Sequence, residues 1–240
     1  MRLALFLLIF AAAFACSARA DLTIVQKIEG AGAVTADGKA PREMVIRIKD
    51  DKARMDMGPQ LATIIDSKTG DVVNLMTEQK KFLRVSGEQA RAVADTAARF
   101  TSKAESIEKP KLIATGRKET VNGYETEEYL SETPEFKASY WIALTYPDGP
   151  AILKQLQTVT PQSWGLGKGS MPDYRDFPGV PLRTRINVGG KEIVSTVTSI
   201  KADILPESEF VPPAGFEEMK MPDIGKMFAP KPEAKPKPKP

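Results

Sequence analysis

Hydrophobic and polar residues alternate along most of this chain. Leu22, Ile24 and Ile28 share one side of an extended segment. The stretches 44–48 and 55–57 repeat the same alternation. A period of two is typical of a strand that has one face in a core and the other in water. The pattern therefore predicts a sheet with one buried face.

Turn-forming residues separate the alternating stretches at short intervals. Asp37-Gly38 and Gly58-Pro59 are two of them. This spacing predicts an antiparallel meander of about eleven strands, enough to curl strongly or to close part-way into a barrel. The predicted strands are 22–30, 42–50, 52–58, 61–66, 71–77, 80–85, 111–118, 123–131, 137–146, 181–188 and 192–203.

Two helical segments interrupt the strands. Ser86 and Gln89 have the spacing of a capping box, and the alanine-rich segment that follows has apolar residues at helical spacing. Pro150 suits the first turn of a second helix, which has a stronger apolar side. We expect a mainly β protein with two short helices, over 87–101 and 150–159.

The start of the chain has the form of a secretory signal peptide. Positive charge at Arg2 precedes an apolar stretch from Leu3 to Ala15, which is too short to span a bilayer. We expect 1–20 to be removed by cleavage after Ala20. Lipid attachment at Cys16 is the secondary alternative, because the residues before it fit a lipidation signal poorly. Both alternatives predict export to the periplasm or the cell exterior.

The end of the chain has a different composition from the rest. Proline and lysine alternate over its last residues, so we expect 223–240 to be a disordered, extended tail. The remaining segment, 21–222, has a suitable length for one domain. Its charge is close to neutral, and it carries no basic stripe with interspersed aromatic residues, which argues against a nucleic-acid partner.

Histidine is absent from the chain, and Cys16 is its single cysteine. Histidine is the usual proton shuttle and the commonest metal ligand, and cysteine supplies nucleophiles and soft metal sites. Their absence after the leader argues against histidine-dependent triads, zinc sites and disulfide frameworks. We therefore expect a protein that is not an enzyme and that has no cofactor and no metal.

Three further patterns have ordinary structural explanations. The glycine-rich stretch 165–170 lacks the Gly-Lys-Ser or Gly-Lys-Thr ending of a phosphate-binding loop, which favours a connector. Asp50, Asp51 and Asp56 surround a tight turn, where carboxylates are usually solvated. Paired carboxylates could serve glycoside hydrolysis, but no spacing in the sequence supports such a pair.

Four methionines occupy neighbouring predicted strands: Met44, Met55, Met57 and Met76. Methionine is an adaptable lining for irregular apolar ligands, and it is equally common in a packed core. Arg54 is out of phase with these methionines. Its stem could cover apolar surface, or its guanidinium could anchor an opposing loop or helix across the mouth of the sheet. We take these five residues as the candidate ligand-binding set.

Several segments resemble a known group of secreted bacterial proteins. The stretches 42–57 and 64–85 resemble a family of unknown function. The stretches 115–129 and 204–219 resemble the closing strands and exit of the lipoprotein carriers LolA and LolB. The resemblance implies an unclosed antiparallel β-barrel with helices on its concave side and a cavity that accepts acyl chains. It also implies an arginine on an early strand that holds a helical lid, and Arg54 is the nearest match by position.

Two hypotheses for function follow. The first is an exported, non-enzymatic binding protein that shelters an acyl chain, of a lipid or a lipoprotein, in a half-barrel. The second is a cell-envelope interaction module with a filled barrel, whose basic tail contacts an anionic envelope surface. The sequence leaves both open, because methionine and leucine on an inner face suit a cavity and a packed core alike.

Overall fold

The computed structural model describes residues 20–30, 42–92, 110–133, 136–159, 172–188 and 191–220. Several predictions therefore fall outside the described residues. These are the signal peptide and Cys16, the predicted helix beyond residue 92, the glycine-rich stretch 165–170 and the tail 223–240.

Twelve strands in the described part form one sheet. They are β1 (Asp21–Gly30), β2 (Arg42–Lys49), β3 (Lys52–Met57), β4 (Leu61–Asp66), β5 (Val72–Met76), β6 (Lys81–Val85), β7 (Ile113–Val121), β8 (Tyr124–Thr133), β9 (Phe136–Ala143), β10 (Val180–Val188), β11 (Lys191–Asp203) and β12 (Glu217–Met219).

The sheet is open. Its spatial order is β12-β6-β5-β4-β3-β2-β1-β11-β10-β9-β8-β7, so β12 and β7 are opposite edges. The first six strands form one meander, β7 to β11 form a second, and β1 pairs with β11 to join them. This arrangement confirms the predicted fold, a mainly β, unclosed half-barrel with two short helices.

The helices are short. Residues 87–92 are helical (α1), and the predicted capping box forms, with Ser86 N–H donating to Gln89 Oε1 and Gln89 N–H to Ser86 Oγ. The second helix, α2, spans Gly149–Leu156 and continues as a 3₁₀ turn over Gln157–Val159. No helix in the described segments is both long and apolar enough to cross a membrane.

One face of the sheet, which we call the inner face, carries the main core. Residues paired across strands share a face, so Ile24, Ile46 and Met55 lie side by side on β1, β2 and β3. The apolar side of α2 packs on this face through Ile152 and Leu156, among other residues. The inner face and α2 together enclose the space in which the candidate site lies.

The opposite face, which we call the outer face, is not simply polar. On β4 to β6 it presents a second apolar cluster, which includes Ile64, Leu75 and Phe82. The C-terminal strap, which we define as residues 204–216, covers this cluster with Leu205, Phe210 and Phe216. β4 is therefore buried on both faces, which corrects the expectation of a single buried face.

β12 is the strand that the sequence did not predict. It is three residues long, and it pairs in parallel with β6. Its sequence shows no apolar alternation. It forms because the strap delivers the chain to the β6 edge, where Glu217 N–H donates to the Lys80 carbonyl at 2.9 Å.

Candidate functional site

A cavity of about 250 Å³ lies between the inner face and α2. Strands β1, β2, β3, β10 and β11 form its floor, and Leu156, Val159 and Tyr174 cover it. Most of its lining is apolar. Representative side chains are Ile24, Met44, Ile46, Met55, Val180 and Val197.

Four polar side chains cross neighbouring strands on the inner face, and we call them the polar row. Tyr140 on β9 pairs in register with Thr184 on β10, which pairs with Ser195 on β11. The Ser195 hydroxyl donates to Oε1 of Gln26 on β1. Thr184, Ser195 and Gln26 line the cavity. The polar row gives an otherwise apolar cavity one polar strip.

Sequence reasoning missed the polar row, although a signal for it was present. Gln26 is in phase with Ile24 and Ile28, so it occupies an inward position of a strand. A polar residue at an inward position either needs a partner or marks a site, because burial of an unpaired polar group is unfavourable.

The hydroxyl of Tyr140 has an unusual environment. The side chain is only 2% exposed, and its ring meets Phe177 edge to face at 5.1 Å between centroids. Its hydroxyl oxygen is buried and has no hydrogen-bond partner among the described residues. Such a group costs about 1–3 kcal/mol and calls for an explanation.

Both phenols near the cavity stay protonated at neutral pH. Burial raises the pKa of Tyr140 well above its ordinary value, and the nearby phenol of Tyr174 adds to that rise. Burial also raises the pKa of Tyr174. Each is therefore a neutral hydroxyl that can donate a hydrogen bond.

The four predicted methionines all lie on the inner face, but they divide into two pairs. Met44 and Met55 line the cavity. Met57 pairs in register with Met44, and Met76 pairs with Leu61, so both continue the same face beyond the cavity lining. Met57 ends β3 and is 40% exposed.

Arg54 lies on the outer face, away from the cavity. Its Nη1 donates to the backbone carbonyl of Glu209 in the strap at 3.0 Å, and its Nε donates to Asp56 Oδ1 at 3.0 Å. Arg47 contacts the same Asp56 carboxylate and also pairs with Glu209. Arg54 thus anchors an opposing segment, but that segment is the strap rather than a helix over the cavity.

Two lysines extend this anchoring along the strap. Lys49 Nζ lies 3.1 Å from Asp21 Oδ2, and the same carboxylate oxygen accepts from Leu205 N–H at 2.8 Å. Lys52 Nζ lies 2.9 Å from Glu207 Oε2. These hydrogen bonds raise the pKa of both lysines above the ordinary value.

Glu128 and Trp141 each have partners within the fold. Buried Glu128 contacts Arg117 and accepts from the Thr115 hydroxyl at 3.0 Å. Arg183 and Arg185 lie 5.6 and 5.1 Å from the ring centroid of Trp141, so that ring is already covered by cations. Within the described ranges, no group of three or more carboxylates is placed to hold a metal ion.

One protein-family model matches most of this chain. A family model described as "Domain of unknown function (DUF4412)" matches residues 33–216. A search of curated proteins found no match.

Solved structures show low-identity similarity to this chain. The chain is 14% identical to PNGF-II, with a TM-score of 0.42, over 87% of this chain and 32% of that one. It therefore spans about a third of the length of PNGF-II. It is 11% identical to the Mycobacterium tuberculosis lipoprotein LppX, with a TM-score of 0.38, over 79% of this chain and 90% of that one. Against MucB, solved in complex with MucA, it is 10% identical, with a TM-score of 0.37, over 85% of this chain and 58% of that one.

Proposed function

We propose that this chain, which belongs to the DUF4412 family, is an exported, non-enzymatic binding protein that shelters one acyl chain in the cavity of its half-barrel. The observation that carries the proposal is the cavity itself, an apolar space between an open sheet and α2. The signal-peptide pattern of residues 1–20 supports export to the periplasm or the cell exterior.

The size of the cavity supports a single chain. Its 250 Å³ is slightly below the roughly 300–1,000 Å³ of typical small-molecule sites. At roughly 30 Å³ for each water-sized group, it holds about eight methylene groups. One medium-length acyl chain fits this volume, whereas a lipid with several chains would leave most of its apolar surface outside.

The energetics are adequate for reversible binding. Each methylene removed from water contributes about 0.8 kcal/mol, so eight contribute about 6 kcal/mol before the costs of association. Burial of the chain therefore drives binding, and the costs of association oppose it and keep it reversible.

The experiment is lipid analysis of the protein after gentle purification from its native export route. We expect acyl lipid near one chain per protein. Met44→Trp should fill the cavity and abolish lipid binding. Met57→Trp is the control: Met57 pairs in register with Met44 but does not line the cavity, so this variant should retain the lipid. A lipid-free protein whose affinity for added acyl probes is absent would contradict the proposal. That result would favour the envelope module, with the tail 223–240 as its contact to an anionic surface.

A further inference from the structure

The polar row provides more hydrogen-bond donors than the protein uses. The Ser195 hydroxyl donates to Gln26 Oε1, which leaves the Gln26 amide nitrogen with two N–H groups. Among the described residues, neither that nitrogen nor the Tyr140 hydroxyl donates a hydrogen bond. A group that only accepts, such as a carbonyl oxygen, complements this surplus of donors.

The cavity offers no free positive charge to balance an anion. Arg183 is the single charged residue among the described residues that line it. Its guanidinium is already paired with Glu119 and lies over the ring of Trp141. A carboxylate drawn into this space would lose its water without gaining a free cation, which is strongly unfavourable.

We infer that the polar row binds the uncharged carbonyl of the ligand, and that the site takes an acyl ester or amide in preference to a free fatty acid. This inference rests on the proposed function and assigns a ligand class to the same cavity. The acyl chain occupies the apolar part between Met44, Met55 and Leu156, and the carbonyl lies at Gln26 and Ser195.

Two probes with the same chain length separate the ligand classes. Monodecanoylglycerol is an uncharged ester, and decanoate is its anionic counterpart at pH 7.5. Isothermal titration of the full mature protein with each, below the micelle concentration, should show the ester binding at least about tenfold more tightly.

Variants of the polar row test its role. Ser195→Ala, which removes a hydroxyl from the cavity lining, and Tyr140→Phe, which removes the unpartnered hydroxyl beside Thr184, should each weaken ester binding by roughly two- to tenfold and reduce the preference for the ester over decanoate. Tyr140→Phe should not lower the melting temperature of the ligand-free protein, because the hydroxyl that it removes has no partner. Tyr129→Phe is the matched control, since Tyr129 pairs in register with Tyr140 but is not part of the polar row, and its hydroxyl has Glu127 as a partner.

The outcomes are distinct. Equal affinity for the two probes, unchanged in both variants, overturns the assignment to esters and amides while acyl binding stands. Tighter binding of decanoate also overturns it. The absence of binding for both probes overturns the proposed function, and the inference with it.

Discussion

Replacement of Arg54 by alanine decides between two roles for this residue. The resemblance to lipoprotein carriers implies a role at the ligand cavity, whereas the structure places Arg54 on the outer face against the strap. Its side chain is 19% exposed, and it donates to both Asp56 and the Glu209 carbonyl. We therefore expect Arg54→Ala to lower stability and to leave ligand binding unchanged.

The magnitude follows from these contacts. A hydrogen bond from a charged group contributes about 1.5–3 kcal/mol, and the buried arginine stem adds packing. Asp56 keeps Arg47 as its partner, so no carboxylate is left unpaired. The expected loss is about 2–3 kcal/mol, or about 4–12 °C in Tm for a domain of this size.

Urea denaturation measures this loss as a shift in the midpoint at a constant slope, and hydrogen exchange over 204–210 reports whether the strap opens. Arg84→Ala is the control, because Arg84 is more exposed and its Nε lies 3.6 Å from Glu218 Oε1 in a surface ion pair. The free energy of unfolding of this variant should fall by no more than about 1 kcal/mol. Unchanged stability with a fivefold or greater loss of acyl-probe affinity would refute this reasoning and return Arg54 to the ligand site.

Three other predictions test the packing and the titration behaviour. Phe210→Ala should cost about 3–5 kcal/mol in urea denaturation, because it removes the centre of the strap from the outer cluster, and Phe210→Leu should cost much less. Gly179→Ala should cost about 2–3 kcal/mol, because a Cβ at this position would lie 2.4 Å from the carbonyl oxygen of Ala143. Gly149→Ala is the control, because its Cβ would make only an ordinary contact at 3.5 Å. Equal melting temperatures for the two variants would contradict this prediction. Burial raises the folded-state pKa of Tyr140, and the hydrogen bond with Asp21 raises that of Lys49, so the folded state holds both protons more tightly than the unfolded state. The contribution of these two groups to stability is therefore constant below pH 10 and falls as pH rises above it; a melting temperature that is flat from pH 9 to pH 11 would contradict this.

The alternation of apolar residues was sufficient to predict most of the sheet. Each strand from β1 to β6 was identified from local residues, because hairpin strands bury one face and turn residues separate them. The pairing of strands that are distant in the sequence cannot be predicted from local alternation. The contact of β1 with β11 and the parallel addition of β12 to β6 depend on where distant segments meet, and a three-residue strand such as Glu217–Met219 carries no periodic signal.

The phase of a residue along its strand predicts which face of the sheet it occupies, but not what covers that face. Phase along a strand placed Met44 and Met55 correctly on the inner face and Arg54 on the other. The sequence does not show that the strap covers the other face, so it predicts only an opposing loop or helix at the mouth of the sheet as the partner of Arg54. The polar row was missed because its members come from four strands, and only the register brings Tyr140, Thr184 and Ser195 side by side.

Native mass spectrometry of the intact, gently purified protein tests the central claim most directly, because it reports protein and bound ligand together. The account predicts a species heavier than the mature chain by one acyl lipid, which is released on mild activation and is absent from Met44→Trp. A single species at the mass of the mature chain, together with no added mass after incubation with monodecanoylglycerol or decanoate, would contradict the claim that this half-barrel shelters an acyl chain.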